Sequence, residues 1–128
     1  MRFLLDTHAA IWAAEDDARL GNGARTELER VEPGEAVVAD ISLLEIAMLA
    51  WKGRIGLDGE TVDYLEALAA IYPPLRAGPG IAGIAFDLRL PNADPFDRVI
   101  VATALHHNLP LLTRDRAIRR SGIVATVW

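Results

Sequence analysis

Cysteine is absent from this chain, which excludes disulfide staples, thiolate metal sites and cysteine nucleophiles. A disulfide-free sequence fits a reducing cytosol. No uninterrupted apolar run approaches the ~20 residues needed to cross a bilayer. The opening MRFLLD also brings an acid too early for the apolar region of a secretory signal. The expectation is a soluble, cytoplasmic protein with no membrane partner. Lysine is nearly missing: twelve of the thirteen basic residues are arginine, the side chain suited to forked contacts with phosphate. The net charge of −5 argues against a general nucleic-acid coat protein, whose affinity comes from neutralising phosphates. No repeat, low-complexity tract or linker divides the sequence. With 52% hydrophobic and 24% charged residues over 128 positions, residues 1–128 are expected to form one globular domain with a real core.

What is present alternates between short apolar runs and helical patterns. RFLL reads as a buried strand that breaks at Asp6, and THAAIWAA as a helix capped by Asp6 or Thr7. A Gly-Asn-Gly break precedes a second helix to about Val31, and Pro33-Gly34 turns the chain into the strand AVVAD. SLLEIAMLAWKGRI is apolar nearly all round and predicts a buried helix. After a loop from Gly53 to Gly59, ETVDYLEALAAIY is helical. PPLR is a short third strand, Gly78-Pro79-Gly80 resets the chain, and IAGIAFDL is helical. LPNADP is a loop, DPFDRVIVATALHH a helix, PLLT a fourth strand, RDRAIRR a short helix and IVATVW a closing strand. Strands alternating with helices imply an α/β fold, a parallel sheet covered on both faces and joined by right-handed crossovers.

Four acids stand where apolar runs stop and helical patterns begin: Asp6, Glu45, Asp97 and Asp115. In an open parallel sheet ligands bind at the carboxyl ends of the strands, so these acids can meet at one edge. Each also has an ordinary explanation. Ser42 and Glu45 have the spacing of a capping box. Asp94 before Pro95 is an N-cap with proline at the favoured first position, and Asp6 and Asp115 can cap the helices after them. Taken together, the ordinary reading weakens. Glu45 is flanked by Leu, Ile, Ala and Met, and a buried unpaired carboxylate is costly. With Asp94 as cap, Asp97 is not needed for that role.

Two carboxylates ~4 Å apart repel by roughly 4 kcal/mol at an effective dielectric of 20, so a converging group calls for a divalent cation. Oxygen ligands without thiolates suit Mg²⁺ or Mn²⁺ rather than zinc, and such ions activate water and support in-line phosphoryl displacement. Thr7, Ser42 and Thr113 lie beside the acids, placed to orient them, a water or substrate, and Arg98 and Arg114 are placed to meet phosphates. The adjacent His106 and His107 face different sides of a helix and do not form an i, i+4 metal pair. His8, next to Asp6, reads as structural with substrate contact as the lesser alternative, Trp12 and Trp51 as core or interface, and Trp128 as packing.

LLDTH (4–8), SLLEIA (42–47), ADPFDRVIVATA (93–104) and LLTRD (111–115) together resemble the motifs of PIN-domain ribonucleases, specifically the VapC toxins of VapBC toxin–antitoxin pairs. The match is in order and spans essentially the whole chain; its weakest part is 56–90. The resemblance implies a three-layer α/β/α sandwich around a short, mostly parallel five-stranded sheet. It implies Mg²⁺- or Mn²⁺-dependent cleavage of RNA, with Asp6 and Asp97 as the main metal ligands, Glu45 and Asp115 completing the site, and Asp94 an additional acid. It further implies a homodimer held inactive by a VapB-type antitoxin.

Two other classes compete. A phosphoryl-receiver or aspartyl-phosphate phosphatase needs a second acid close to the first and a late lysine. Here Thr7, His8 and Ala9 follow Asp6, and the sole lysine is Lys52. A non-catalytic RNA- or protein-binding module would keep the fold without turnover and be indifferent to Asp97→Asn.

Overall fold

Phe3 and Leu5 point to one side of the first strand and Leu4 to the other, and all three are buried. This strand therefore lies inside a sheet with both faces covered, as its continuous apolar run requires. The computed structural model describes residues 1–91 and 94–128. Its elements are β1 (Phe3–Leu5), α1 (Thr7–Ala14), α2 (Asn22–Leu28), β2 (Ala36–Ala39), α3 (Asp40–Trp51), α4 (Thr61–Ile71), β3 (Pro74–Leu75), α5 (Pro79–Asp87), α6 (Pro95–His106), β4 (Leu111–Leu112), α7 (Arg116–Ser121) and β5 (Thr126–Val127).

The five strands form one sheet in the order β3-β2-β1-β4-β5, and every pairing is parallel. Leu4 is level with Val37 on one side and Leu111 on the other. On one face, Phe3, Leu5 and Val38 pack with Ala9, Trp12, Ile46 and Leu68 from α1, α3 and α4. On the other, Leu4, Val37 and Leu111 pack with Ile100, Val101 and Ala104 of α6 and Ile118 of α7. Helix α5 lies outside that layer, Ile81 and Ala85 against Val99 and Ala102 of α6. The expected α/β/α sandwich is present, and its sheet is wholly rather than mostly parallel.

Several boundaries differ from the sequence reading. Helix α3 starts at Asp40, directly after β2, with Ala39 as a cap that makes no side-chain bond. The capping box expected at Ser42 and Glu45 is therefore absent, because both residues lie inside the helix. Nor is α3 buried all round: Leu44 is 63% exposed and Trp51 83%. Helix α2 stops at Leu28, before Val31, and α5 begins at Pro79 itself, proline taking the first turn where its missing N–H costs nothing. Part of the loop expected at 90–95, residues 92 and 93, lies outside the described residues. Helix α7 ends on Gly122 in the left-handed region (φ 66°), a conformation open to glycine at little cost. Among the described residues no helix is long and apolar enough to cross a membrane.

Candidate active site

The chain runs outward from β1 through β2 to β3, then returns to β4 on the other side of β1. The crevice between β1 and β4, at their carboxyl ends, is where an open parallel sheet binds ligands. Asp6 leaves β1 at this point, its N–H bonded to the Leu112 carbonyl of β4 at 3.0 Å. A cavity of about 260 Å³ opens there, lined by Asp6, Thr7, His8, Trp12, Glu45, Asp94, Asp97, Arg114 and Asp115. The four acids singled out in sequence, and Asp94, share one cavity.

Three of these acids also cap helices. Asp6 Oδ1 accepts from the Ala9 N–H at 2.8 Å, Asp94 Oδ1 from Phe96 at 2.9 Å, and Asp115 Oδ1 from Ile118 at 3.0 Å. The amino ends of α1, α6 and α7 thus face the cavity, and their dipoles favour negative charge there. Capping and site-lining are the same placement rather than competing explanations.

Glu45 caps nothing. It projects from the second turn of α3, buried, and its Oε1 accepts a short hydrogen bond from Thr7 Oγ1. Thr7 Oγ1 also lies 3.0 Å from Ser42 Oγ. Burial pushes the Glu45 carboxyl above its ordinary range, against the Thr7 hydrogen bond, with Asp94 and Asp6 adding repulsion. Asp6 is shifted in the same direction. Removal from water is the main cause, opposed by hydrogen bonds from Thr113 and the Ala9 N–H and by His8, and Asp115 adds repulsion. Both shifts follow first from taking a carboxylate out of water, with the neighbouring acids adding to them.

Thr7, Ser42 and Thr113 are buried; Thr7 braces Glu45 and Thr113 braces Asp6, while Ser42 bonds Thr7. Thr113 binds Asp6 and accepts from the Asp115 N–H at 3.1 Å; neither it nor Ser42 lines the cavity. Arg98, read from the sequence as a phosphate contact, is placed elsewhere. Its guanidinium bonds the carbonyls of Ala85, Leu88 and Leu90 at 3.0, 2.8 and 2.8 Å, joining α6 to the end of α5, and it does not line the cavity. Arg114 does line it, its guanidinium 4.5 Å above the Trp12 ring.

His8, for which substrate contact was the lesser reading, and Trp12, read as core or interface, also line the cavity. They stand four apart on α1, on one face of that helix, directly after Asp6; that spacing was the available signal. His106 ends α6 and His107 caps it, away from the cavity, as expected.

A PIN-domain family model matches residues 3–123. The chain belongs to the PIN-domain family. All five cavity acids fall inside the matched PIN region, and the receiver and phosphatase readings fall away. This PIN domain is 37% identical over 130 residues to Ribonuclease VapC22 of Mycobacterium tuberculosis, covering 98% of this chain and 97% of that protein. It resembles a toxin–antitoxin complex chain from Klebsiella pneumoniae at 25% identity, covering 96% of this chain and 95% of that one, with a TM-score of 0.68. The fold is also that of VapBC-1 from nontypeable Haemophilus influenzae, with a TM-score of 0.73 at 17% identity over 98% of this chain and 96% of that one.

Proposed function

We propose that this PIN domain is a divalent-cation-dependent endoribonuclease, the toxin of a VapBC-type pair, acting on cytoplasmic RNA. The observation that carries the reading is the single crevice into which five carboxylates from four separate stretches of chain are brought. The name of the 37%-identical relative, a VapC ribonuclease, supports the reaction. The Klebsiella likeness supports an antitoxin as partner.

The donor set suits a hard cation: five carboxylates and no thiolate, with Mg²⁺ favoured and Mn²⁺ an alternative. Among the described residues no group of three or more acidic or imidazole side chains is gathered closely enough to hold an ion as placed. Binding would therefore draw carboxylates inward. Asp6 and Asp97 are assigned as main ligands, with Glu45, Asp115 and Asp94 contributing. When bound, the cation neutralises these acids, lowers the pKa of water and offsets charge on the phosphate.

The chain's own residues do the rest. Thr7 and Thr113 hold Glu45 and Asp6 in place, and the helix amino ends favour negative charge in the cavity, working against the effect of burial. Arg114, its guanidinium over the Trp12 ring, offers its N–H groups to a phosphate.

The test is cleavage of total RNA by antitoxin-free protein in Mg²⁺, Mn²⁺ or EDTA. Discrete fragments are expected with metal only, and a loss of at least about a hundredfold in Asp6→Ala and Asp97→Ala, on the scale of losing one electrostatic contact to the transition state. Equal behaviour of wild type and both variants would reduce the protein to a binding module.

A further inference from the structure

A second cavity, of about 280 Å³, abuts the acidic one and shares His8 and Trp12 with it. Its other walls include Glu15, Arg19, Arg54 and Ile55, so it lies between α1 and the loop after α3. Nothing in the proposed chemistry uses it. Trp12 is the partition between the two: Arg114 lies over its ring at 4.5 Å and Arg19 at 5.1 Å, Arg114 lining the acidic cavity and Arg19 the second one.

The two arginines of the second cavity differ in kind. Arg19 is forked onto Asp17, Nε to Oδ1 at 3.0 Å and Nη2 to Oδ2 at 2.8 Å. That pair neutralises its charge and fixes its plane, while the side chain remains 61% exposed. A guanidinium so held makes a poor phosphate clamp and a good flat platform. Arg54 has no ion-pair partner among the described residues, so its charge and donors are available. Glu15 supplies an acceptor at the rim, with Tyr64 Oη donating to it at 3.3 Å.

We infer that this cavity is the subsite for the base of a nucleotide flanking the scissile phosphate of single-stranded RNA. Unstacked RNA bases are recognised by stacking on aromatic or guanidinium planes and by hydrogen bonds along their edges. Here Arg19 is the platform, Arg54 donates to base or phosphate, and Glu15 accepts from a base N–H. The carboxylate favours a base with adjacent N–H donors, guanine above uracil. The inference rests on the ribonuclease reading for its substrate, but the cavity and its cations stand without it.

The experiment has two arms on the full chain, with Arg19→Ala, Arg54→Ala and Glu15→Gln, all exposed positions. In the first, the four nucleoside 5′-monophosphates are titrated in EDTA while the Trp12 indole and Arg19 and Arg54 side-chain resonances are followed. Saturable shifts are expected, strongest for the guanine nucleotide and weakened about tenfold by Arg54→Ala. In the second, cleavage sites on total RNA are mapped. The variants should raise KM severalfold with kcat within about twofold, and Glu15→Gln should relax the base preference beside the cut.

Wild-type cleavage with unchanged maps, KM and shifts in all three variants would remove the subsite and leave the nuclease standing. Nucleotide binding without any cleavage would do the reverse. Shifts produced by an antitoxin-derived peptide but by no nucleotide would assign the cavity to the partner protein and overturn the inference.

Discussion

Asp6 and Glu45 are held in water-poor positions where neutral carboxyls are favoured, and this has a consequence for stability. In the unfolded chain they titrate near 3.8 and 4.5; in the fold, both titrate higher. Between the ordinary and raised values the native state holds more protons than the unfolded one, so stability rises as pH falls. Metal-free protein should melt at a higher temperature near pH 5 than near pH 8, and saturating Mg²⁺ should flatten the difference. Thr7→Val removes the donor to Glu45 and should widen it. Asp17, lowered to about 2 beside Arg19, acts in the opposite direction but only below the ordinary aspartate range, outside this window. Thermal melts in EDTA and in Mg²⁺ across pH 5–8 provide the check; a melting temperature that climbs with pH in EDTA would contradict the assigned environment.

Helices α5 and α6 are joined by a device that the sequence did not reveal. Arg98 reads from the motif as a phosphate contact beside Asp97, yet its guanidinium bonds carbonyls in α5 and the segment after it. A one-residue step along the helix separates the two: Asp97 lines the crevice, and Arg98 faces α5. Arg98→Ala leaves those carbonyls without their charged donor and should lower stability by about 3 kcal/mol, by the usual cost of orphaned buried groups. Arg98→Lys should rescue little, since an ammonium cannot reproduce the planar fork. Urea unfolding measures both, and cleavage per folded molecule should stay near wild type. A variant with full stability and a large loss of cleavage would return Arg98 to substrate binding. The long apolar helix α3 shows a related limit. Its sequence is apolar all round, so periodicity could not say which face meets the sheet, and only the packed partners leave Leu44 and Trp51 outside.

Those exposed side chains belong to the molecule as a unit. Leu44 and Phe86, 63% and 64% exposed, flank an apolar cavity of about 350 Å³ with Ile41, Ala82 and Val99, between α3, α5 and α6. Contiguous apolar surface of this kind marks association sites on soluble proteins, which makes this face the one on which to test the homodimer that the family resemblance implies. Sedimentation of purified protein should give the mass of two chains at micromolar concentration. The double variant Leu44→Glu, Phe86→Glu should sediment as one chain, with the fold retained by circular dichroism. A wild type that stays monomeric throughout would free this face for another partner.

The order of strands and helices, and the positions of Asp6, Asp97 and Asp115 at their junctions, were determined by the sequence alone; Glu45, read as lying at a junction, sits in the second turn of α3. Apolar runs of three or four residues followed by a capping acid admit few other local structures. The parallel sheet followed from their alternation. Whether capping acids would also line a common crevice was a matter of strand order, which hydrophobic periodicity does not encode. The return of the chain from β3 across β1 to β4 brings Asp115 beside Asp6. The direction of each side chain was likewise left to tertiary packing: Arg98 turned inward to α5, Ser42 and Thr113 buried, and Trp12 set between two arginines. A one-residue step on a helix turns a side chain by about 100°, and only the neighbours present in the folded protein decide which turn faces the site.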